Sequence, residues 1–575
     1  MLTKLTIRNF KVFSEVEIEL SDRVVFIGPN NSGKTSALQA LALWDIGVRR
    51  WLEKRGSGPV PSQRPGVTIS RQDLIAIPVP TANLLWRNLH VRESTRQQGK
   101  PQTSNVLIEI GVEGADKEPW EARLEFYYAN EESFYCRPPR SPQEKVWMDV
   151  PDFLKNLQIA YLPPMSGLAA REDRLELGSI RVRLGEGRTA EVMRNLCWQV
   201  LEGPDGEAKW QEICDYIEKL FGEKLEKPKY IPERGEITME YSTRTGTKLD
   251  ISSSGRGQQQ TLLLLAHMAV NPGAVLLLDE PDAHLEILRQ RQIYNVLSEQ
   301  AEKMNSQIIA ASHSEVLLAE AAQRDVVVAF VGKPHRIDDR GTQVLKSLRE
   351  IGFDQYYLAE QTGWVLYLEG STDLAILSAF ARRLEHPVQE YLARPFVCYV
   401  SNQPRKAQEH FHGLREAKPD LVGIAIYDRL EQPLPPDPYL RQHTWQKREL
   451  ENYLCQRETL LAYAASEGER TAGGPLFGME WQNAMERAIQ EIEQALKTLG
   501  KDPWSDDIKA SDEFLTPLFA RFYKILGLPN IMEKTNFHLL AEHISREAID
   551  LEIIQVLDTI LEVVRSAKHA GSEEF

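Results

Sequence analysis

Apolar and polar positions alternate with period two at the start of the chain. Leu5, Ile7 and Phe10, then Val16, Ile18 and Leu20, read as two strands around a turn. The unbroken run Val24-Val25-Phe26-Ile27 reads as a buried strand feeding a glycine loop, with a helix beginning near Thr35. Residues 55–66 hold Gly56, Gly58, Pro59, Pro61, Pro65 and Gly66 and read as a surface loop. Strand-like runs follow at 106–112 and 120–128, and residues 175–221 are largely helical in pattern, broken by a polar loop at 203–206. A buried strand at 275–278, a helix over 286–304 and a buried strand at 307–310 then alternate. Such alternation predicts a mainly parallel sheet covered by helices. It restarts after a boundary near residue 355, with strands at 364–368, 396–400 and 421–427, a helix over 373–384, and a helix-rich tail from about residue 480.

The length of 575 residues exceeds what one core serves, because single cores stop growing near about 250–300 residues. At least two domains are expected. The 83 acidic and 68 basic residues give a formal charge of −15, which argues against a surface basic all over but leaves room for a local basic groove. Five cysteines without a C-x-x-C pair argue against a disulfide framework and a structural zinc site, and point to a reducing compartment. No run reaches the roughly 20 apolar residues of a membrane span. Met1-Leu2-Thr3-Lys4 leads straight into strand-like sequence without a signal-peptide core. The expected location is the cytoplasm, with no membrane partner.

Gly28-Pro29-Asn30-Asn31-Ser32-Gly33-Lys34-Thr35 satisfies the phosphate-loop pattern and stands between a buried strand and a helix. The glycines let backbone amides face phosphates, Lys34 brings a point charge, and the Thr35 hydroxyl can bind magnesium. A plain glycine turn before a helix would require neither the motif nor that setting. Gly28, Asn30, Asn31, Ser32, Gly33, Lys34, Thr35 and Ser36 are therefore the expected ATP-binding residues. Asp279 and Glu280 end the strand at 275–278. Asp279 is expected to bind magnesium and Glu280 to activate water, although strand-end acids can simply be solvated. Ser253-Ser254-Gly255-Arg256-Gly257-Gln258-Gln259 precedes a helix over 261–270, and a glycine-rich helix N-terminus suits an anion.

Taken in order, these motifs resemble an ABC-type ATPase, in which the signature loop of one subunit closes on nucleotide held by another. The resemblance assigns Ser254, Gly255, Gly257 and Gln258 to that loop, Asp282-Ala283-His284-Leu285 to a D-loop, and His313 to the γ-phosphate switch. Arg256 departs from the family by occupying a glycine position, and Gln72 is the candidate for the Q-loop. Ile7-Arg8-Asn9-Phe10-Lys11-Val12-Phe13 resembles the opening of the SMC and RecF branch rather than a transporter subunit.

A second acidic constellation begins at Leu366-Tyr367-Leu368-Glu369-Gly370-Ser371-Thr372-Asp373, again a strand, a carboxylate, a turn and a helix. Asp428 ends the strand over 421–427. Carboxylates gathered at strand ends can hold magnesium against a phosphodiester, though they are also commonly solvated. These residues resemble a TOPRIM domain, but Leu430 stands where that family has a second aspartate. Glu451, in Lys447-Arg448-Glu449-Leu450-Glu451-Asn452-Tyr453, and Asp512 are the available replacements. TOPRIM-bearing ATPases of the OLD (overcoming lysogenisation defect) family carry a similar Arg-Glu-x-Glu-Asn-Tyr segment and a late lysine, here Lys534. His410 and His412 flank Phe411 at strand-like alternate spacing, which suits a metal but more plainly a polar surface pair.

The resemblance to OLD-family proteins, related to the Gabija and PARIS ATPase–nuclease components, covers nearly the whole chain. It implies an α/β architecture. Residues 1–355 would form an ABC/SMC-like ATPase domain with a mixed sheet and a helical, dimerising insertion near 170–225. Residues 356–575 would form a TOPRIM-like α/β domain with a helical tail. The expected activity is an ATP-regulated endonuclease of antiphage defence or DNA processing. In it Glu280, His313, Glu369, Asp428 and Lys534 are catalytic, and Thr35, Asp279, Glu369, Asp373, Asp428, Glu451 and Asp512 bind metal. ATP and Mg2+ are the implied cofactors, with Mn2+ an alternative at the nuclease site. The implied partners are nucleic acid, DNA ahead of RNA, a second copy of the chain or a higher homo-oligomer, and a protein of a defence system. A non-cleaving ATP-driven clamp or sensor is the rival reading, supported by Leu430. A transporter ATPase subunit fits the signature chemistry but not the long second half.

Overall fold

The helix Lys34–Lys54 organises the N-terminal unit. Its 21 residues bury Leu38, Ala40, Leu41, Ala42, Leu43 and Trp44 around its circumference, and a helix buried on so many sides needs cover on more than one. Two sheets supply that cover, because the helix touches strands of both. One is a six-stranded antiparallel sheet in the order Phe13–Glu19, Leu2–Phe10, Ile108–Ala115, Pro119–Asn130, Ser133–Arg137, Val67–Ser70. The other runs Ile159–Leu162, Val275–Asp279, Gln307–Ser312, Arg23–Ile27, Val326–Ala329, His335–Arg336, parallel except for its last member. The mainly parallel sheet read from the sequence thus shares this unit with an antiparallel sheet of the same strand number and with smaller sheets. The period-two alternation at the start of the chain belongs to the antiparallel sheet.

The computed structural model describes residues 1–56, 66–97, 100–116, 118–140, 147–321, 324–337, 351–434, 436–472 and 475–568, so most of the loop expected at 55–66 lies outside the described residues. The chain divides into two units, Met1–Arg349 and Glu350–Glu573. In the first, the strands Val275–Asp279 and Gln307–Ser312 are buried at every position, as parallel strands covered on both faces are. Their second face packs on Met193–Glu202, Gly206–Phe221, Arg256–Val270 and Ile287–Lys303 in a separate core. The helical stretch expected at 170–225 resolves into Leu177–Gly185, Met193–Glu202 and Gly206–Phe221.

The second unit has a four-stranded parallel sheet in the order Val397–Tyr399, Trp364–Leu368, Val422–Tyr427, Leu440–Thr444. The helix Ser371–Arg383 and the later helices Arg457–Ala472, Pro475–Thr498, Thr516–Leu526 and Leu551–Ser566 carry much of its core. The helical tail therefore starts earlier than residue 480. Among the described residues no helix is long and apolar enough to cross a membrane. All five cysteines are free and none is fully exposed, and burial pushes the thiols of Cys136, Cys214 and Cys398 up to about 12.

Gly47 lies where the central helix meets the antiparallel sheet. A Cβ there would stand 2.6 Å from a Leu124 methyl and 3.0 Å from the Phe126 ring. Gly47→Val should destabilise the N-terminal unit by about 1–3 kcal/mol, read as an earlier thermal transition. At Gly178 an added Cβ meets nothing within 4 Å, so Gly178→Ala should leave the same transition in place.

Candidate functional site

Every strand of the parallel sheet that carries a motif delivers it to the same edge. Asp279 pairs with Ala311, and Ser312 with Ile27, in adjacent parallel registers. The loop after Ile27, the acids after Leu278 and the histidine after Ser312 must therefore leave the sheet side by side. In the phosphate loop Gly33 has φ 100° and Asn31 φ 65°, and Gly33 caps the helix that Lys34 opens. A Cβ on Gly28 would come 2.8 Å from the Phe330 carbonyl. Only glycine fits there.

The groups expected to meet nucleotide are turned onto one another. Lys34 Nζ donates to the Gly28 and Pro29 carbonyls, both at 2.7 Å. Burial lowers its pKa, against the raising charges of Glu280, Asp279 and Asp282. The Ser32 hydroxyl is buried without a partner among the described residues. Asn30 and Asn31 are exposed and Ser36 half-buried. The Thr35 hydroxyl donates to Asp279 Oδ1 at 3.2 Å, and burial pushes the Asp279 carboxyl up to about 6. An unpartnered buried hydroxyl, an ammonium folded onto loop carbonyls, and a threonine–aspartate pair form a donor set that fits a magnesium-bound triphosphate. Glu280 has φ 51° and is fixed by its backbone N–H on the Ala311 carbonyl at 2.8 Å. His313 Nδ1 stands 3.8 Å from Glu280 Oε1.

The signature segment differs in detail from its expected form. Its helix is Arg256–Val270, so Gly257 and Gln258 lie inside the first turn and Gly255 is the cap. The Ser254 hydroxyl donates back to the Ile251 carbonyl at 2.9 Å. Gln259 Nε2 staples the preceding turn through the carbonyls of Ile251 and Ser254, each at 3.1 Å. Gln258 Nε2 is buried without a partner among the described residues. Asp282, in the D-loop-like turn, accepts from the Ser312 hydroxyl at 2.8 Å. Gln72 does not stand at Asp279. It lies in the short helix Arg71–Asp73 beside the edge strand of the antiparallel sheet, and the side chain on Asp279 Oδ2 is Tyr161, at 3.3 Å.

In the second unit Trp364–Leu368 and Val422–Tyr427 are parallel neighbours with Tyr367 opposite Ala425, so Glu369 and Asp428 leave one edge together. They share a hydrogen bond. Burial first, then that bond and the charges of Glu369, Asp373 and Glu451, push Asp428 up to about 9. Two carboxylates crowded together mark a place where a positive charge would be stabilised. Magnesium needs only one or two protein carboxylates, its remaining positions going to water and phosphate. The pair fits such an ion. Among the described residues no group of three or more His, Cys, Asp or Glu is placed to hold a metal, so Asp373 and Glu451 act on this pair through charge.

Asp373 is spent on the fold. Its Oδ2 accepts the Glu369 and Gly370 backbone N–H groups at 3.0 and 3.4 Å, which caps the helix Ser371–Arg383. Burial pushes its carboxyl up to about 6, and that of Glu451 to about 7. Asp512 changes role. In the turn Ala510–Leu515 it pairs with Lys509 at 2.5 Å and Lys534 at 3.5 Å, and the Lys509 hydrogen bond, ahead of other causes, lowers its pKa. It is an anchor for two ammonium groups, not a member of the carboxylate pair. Lys509 went unread in the sequence, although its i,i+3 spacing to Asp512 is the signal. Glu449, the first glutamate of the Arg-Glu-x-Glu-Asn-Tyr segment, is buried and accepts the Ser511 backbone N–H, tying down the same turn. The Leu430 backbone N–H donates to the Thr444 hydroxyl at 3.2 Å.

His410 and His412 do not share a strand face. They lie on the helix Pro404–Ala417, where alternate residues diverge by about 200°. His410 meets the Tyr367 hydroxyl at 2.9 Å and His412 meets Asp437 at 2.6 Å.

The two matching family models fall on the N-terminal unit. A family model described as "AAA ATPase domain" matches residues 1–44, which include the phosphate loop. A second, described as "AAA domain, putative AbiEii toxin, Type IV TA system", matches residues 171–319, which include the signature segment, Asp279, Glu280 and His313. The energy-coupling factor transporter ATP-binding protein EcfA2 of Clostridioides difficile (strain 630) is 34% identical over 103 residues, covering 17% of this chain. The chain spans only 34% of that relative's length. Among solved structures, an Smc head bound to the C-winged helix domain of ScpA is 18% identical, with TM-score 0.36, over 58% of this chain and 97% of that one. The SMC head domain from Thermotoga maritima is 16% identical, with TM-score 0.30, over 58% and 98%. The two family models divide the nucleotide site between them, phosphate loop in one and acid pair and switch histidine in the other, and the N-terminal unit accordingly contains an ATP-binding ATPase domain of the AAA/ABC type.

Proposed function

We propose that the chain is an ATP-regulated, metal-dependent nucleic-acid endonuclease of the OLD type, working in antiphage defence or DNA processing. The observation that carries this reading is the Glu369–Asp428 pair, two half-buried carboxylates set against each other at the ends of adjacent parallel strands. Burying acids against each other is costly unless a cation relieves them. Mg2+ or Mn2+ bound there would supply Lewis-acid stabilisation of a phosphodiester. Glu369 and Asp428 would hold it, Glu451 and Asp373 would set the surrounding negative field, and Lys534 with Lys509, anchored on Asp512, would meet the negative charge of the strand being cut. Two copies of the ATPase domain would close on ATP, the signature segment of each meeting nucleotide held by the other, with residues 170–225 in the dimer contact. DNA is favoured over RNA as substrate. The toxin–antitoxin wording of one matched family fits a defence setting with a partner protein.

A second reading has a specific observation behind it. Leu430 at the position of the second TOPRIM aspartate, and no group of three metal-ligating side chains among the described residues, favour a clamp or sensor that grips nucleic acid without cutting it.

Purified protein incubated with duplex DNA, single-stranded DNA and tRNA, with and without ATP and each metal, separates the two readings. Metal-dependent cleavage that vanishes in Glu369→Ala supports the nuclease, and binding without cleavage supports the clamp. Lys34→Ala should lower ATP hydrolysis by roughly 10²-fold or more. If it leaves cleavage intact, ATP regulates cutting without driving it.

Stability should report the same pair. Asp428 has its pKa raised to about 9 and Glu451 to about 7. A carboxyl raised in the folded state stabilises fully below its unfolded value, about 4, and that contribution is lost as pH rises through the folded value. Without metal, the transition of the second unit should therefore fall in temperature between about pH 4 and about pH 9. Added Mg2+ should raise it more at pH 8.5 than at pH 6. Asp428→Asn should stabilise the metal-free protein at pH 8.5 and abolish the magnesium response. A magnesium response equal at both pH values, or retained in Asp428→Asn, would count against the site.

A further inference from the structure

Asp279 is held on both oxygens, and only one of its partners belongs to a motif. Tyr161, on Oδ2, comes from the strand Ile159–Leu162, where it lies opposite Leu277 of the neighbouring strand. Gln39 of the central helix stands beside the same hydroxyl and opposes the rise that burial forces on its pKa. Gln39 Oε1 in turn accepts from the Lys11 ammonium. Lys11 sits in the turn between the first two strands, with φ 49° two residues after Asn9 at φ 53°, and its backbone N–H is fixed on the Leu85 carbonyl at 2.9 Å. Side-chain residues in the left-handed region are strained and persist where the surroundings impose them.

The chemistry of these groups gives the chain a single direction. An ammonium has donors only, so the amide oxygen of Gln39 must face Lys11. The amide nitrogen is then left to face Tyr161, whose oxygen accepts from it. The one proton of the tyrosine is thereby committed to Asp279. Each bond polarises the next, so the far ammonium strengthens the donor on the carboxylate. A buried tyrosine hydroxyl needs some partner in any case. That need does not account for a lysine drawn into a strained turn to orient an amide one step further out, since taking an ammonium out of water is costly.

We propose that Lys11, Gln39 and Tyr161 form a positioning chain that sets the orientation of Asp279 toward the magnesium of bound Mg-ATP. The proposal rests on the nucleotide site alone and is independent of the nuclease reading. If Lys34→Ala binds ATP as well as the parent protein, the site reading fails, and not the chain.

The experiment titrates magnesium into full-length protein with ATP carrying a fluorescent ribose label, and reads binding rather than turnover. Tyr161→Phe should need about 10-fold more magnesium for half-saturation, the scale on which partners of metal ligands act. Its affinity for the labelled ATP in EDTA should equal the parent's. Lys11→Met should shift the midpoint the same way by a smaller factor, and it decides the matter alone if Tyr161→Phe melts out of the parental range. An unchanged magnesium midpoint in either folded variant overturns the chain. So does an equal loss of affinity with and without magnesium, which would mark a purely structural role.

Discussion

The N-terminal unit depends on one constraint: a helix buried over most of its circumference must be enclosed. Lys34–Lys54 begins at the phosphate loop and ends beyond the centre of the core, with a sheet against each side. Neither sheet could be removed without exposing Leu38, Leu41 and Trp44, each fully buried, and each such side chain is worth about 1.5–3 kcal/mol of burial. The enclosure also explains the rigidity of the nucleotide site. Lys34 and Thr35 are the first two residues of the helix, so their positions follow from packing that extends five turns away from them. The antiparallel sheet carries neither the phosphate loop nor the acid pair, yet it packs on the helix and brings Lys11 to it.

Both units use the same geometrical device at their acidic sites. Parallel neighbours must present the same ends to the same edge, so carboxylates that follow two adjacent strands are forced together whatever their separation in sequence. In the first unit a threonine and a tyrosine hydroxyl relieve the crowding at Asp279. In the second, Asp428 is crowded by Glu369 and by the charges of Asp373 and Glu451. The difference is chemical. A carboxylate with neutral donors on both oxygens is oriented, whereas two carboxylates facing each other are unsatisfied until something positive arrives.

Much of this was legible in the sequence where local pattern and burial agree. Val24 to Ile27 and Val275 to Leu278 are unbroken apolar runs because parallel strands are covered on both faces, and they are found where expected. Leu440–Thr444 was not legible, since Leu440 is its one buried position and the rest of this edge strand is polar. His410 and His412 were read with a strand period, although Pro404 at the first turn opens a helix over them. At the sites, the phosphate loop, Asp279 and the Glu369–Asp428 pair could be found from strand ends alone. Asp373 as a cap, Asp512 as a lysine anchor and Tyr161 on Asp279 could not, because each depends on which side chains the tertiary fold sets opposite an otherwise ordinary residue.

The thiols have a practical meaning for anyone following this protein in motion. All five are free, shielded from solvent in part or in full, and three are pushed to about 12 by burial. The thiolate is the reacting species, so near neutral pH these native cysteines are poor targets for maleimide and iodoacetamide dyes. A cysteine introduced on an exposed face would carry a fluorophore selectively, without first stripping the natural ones from the cores they help to fill.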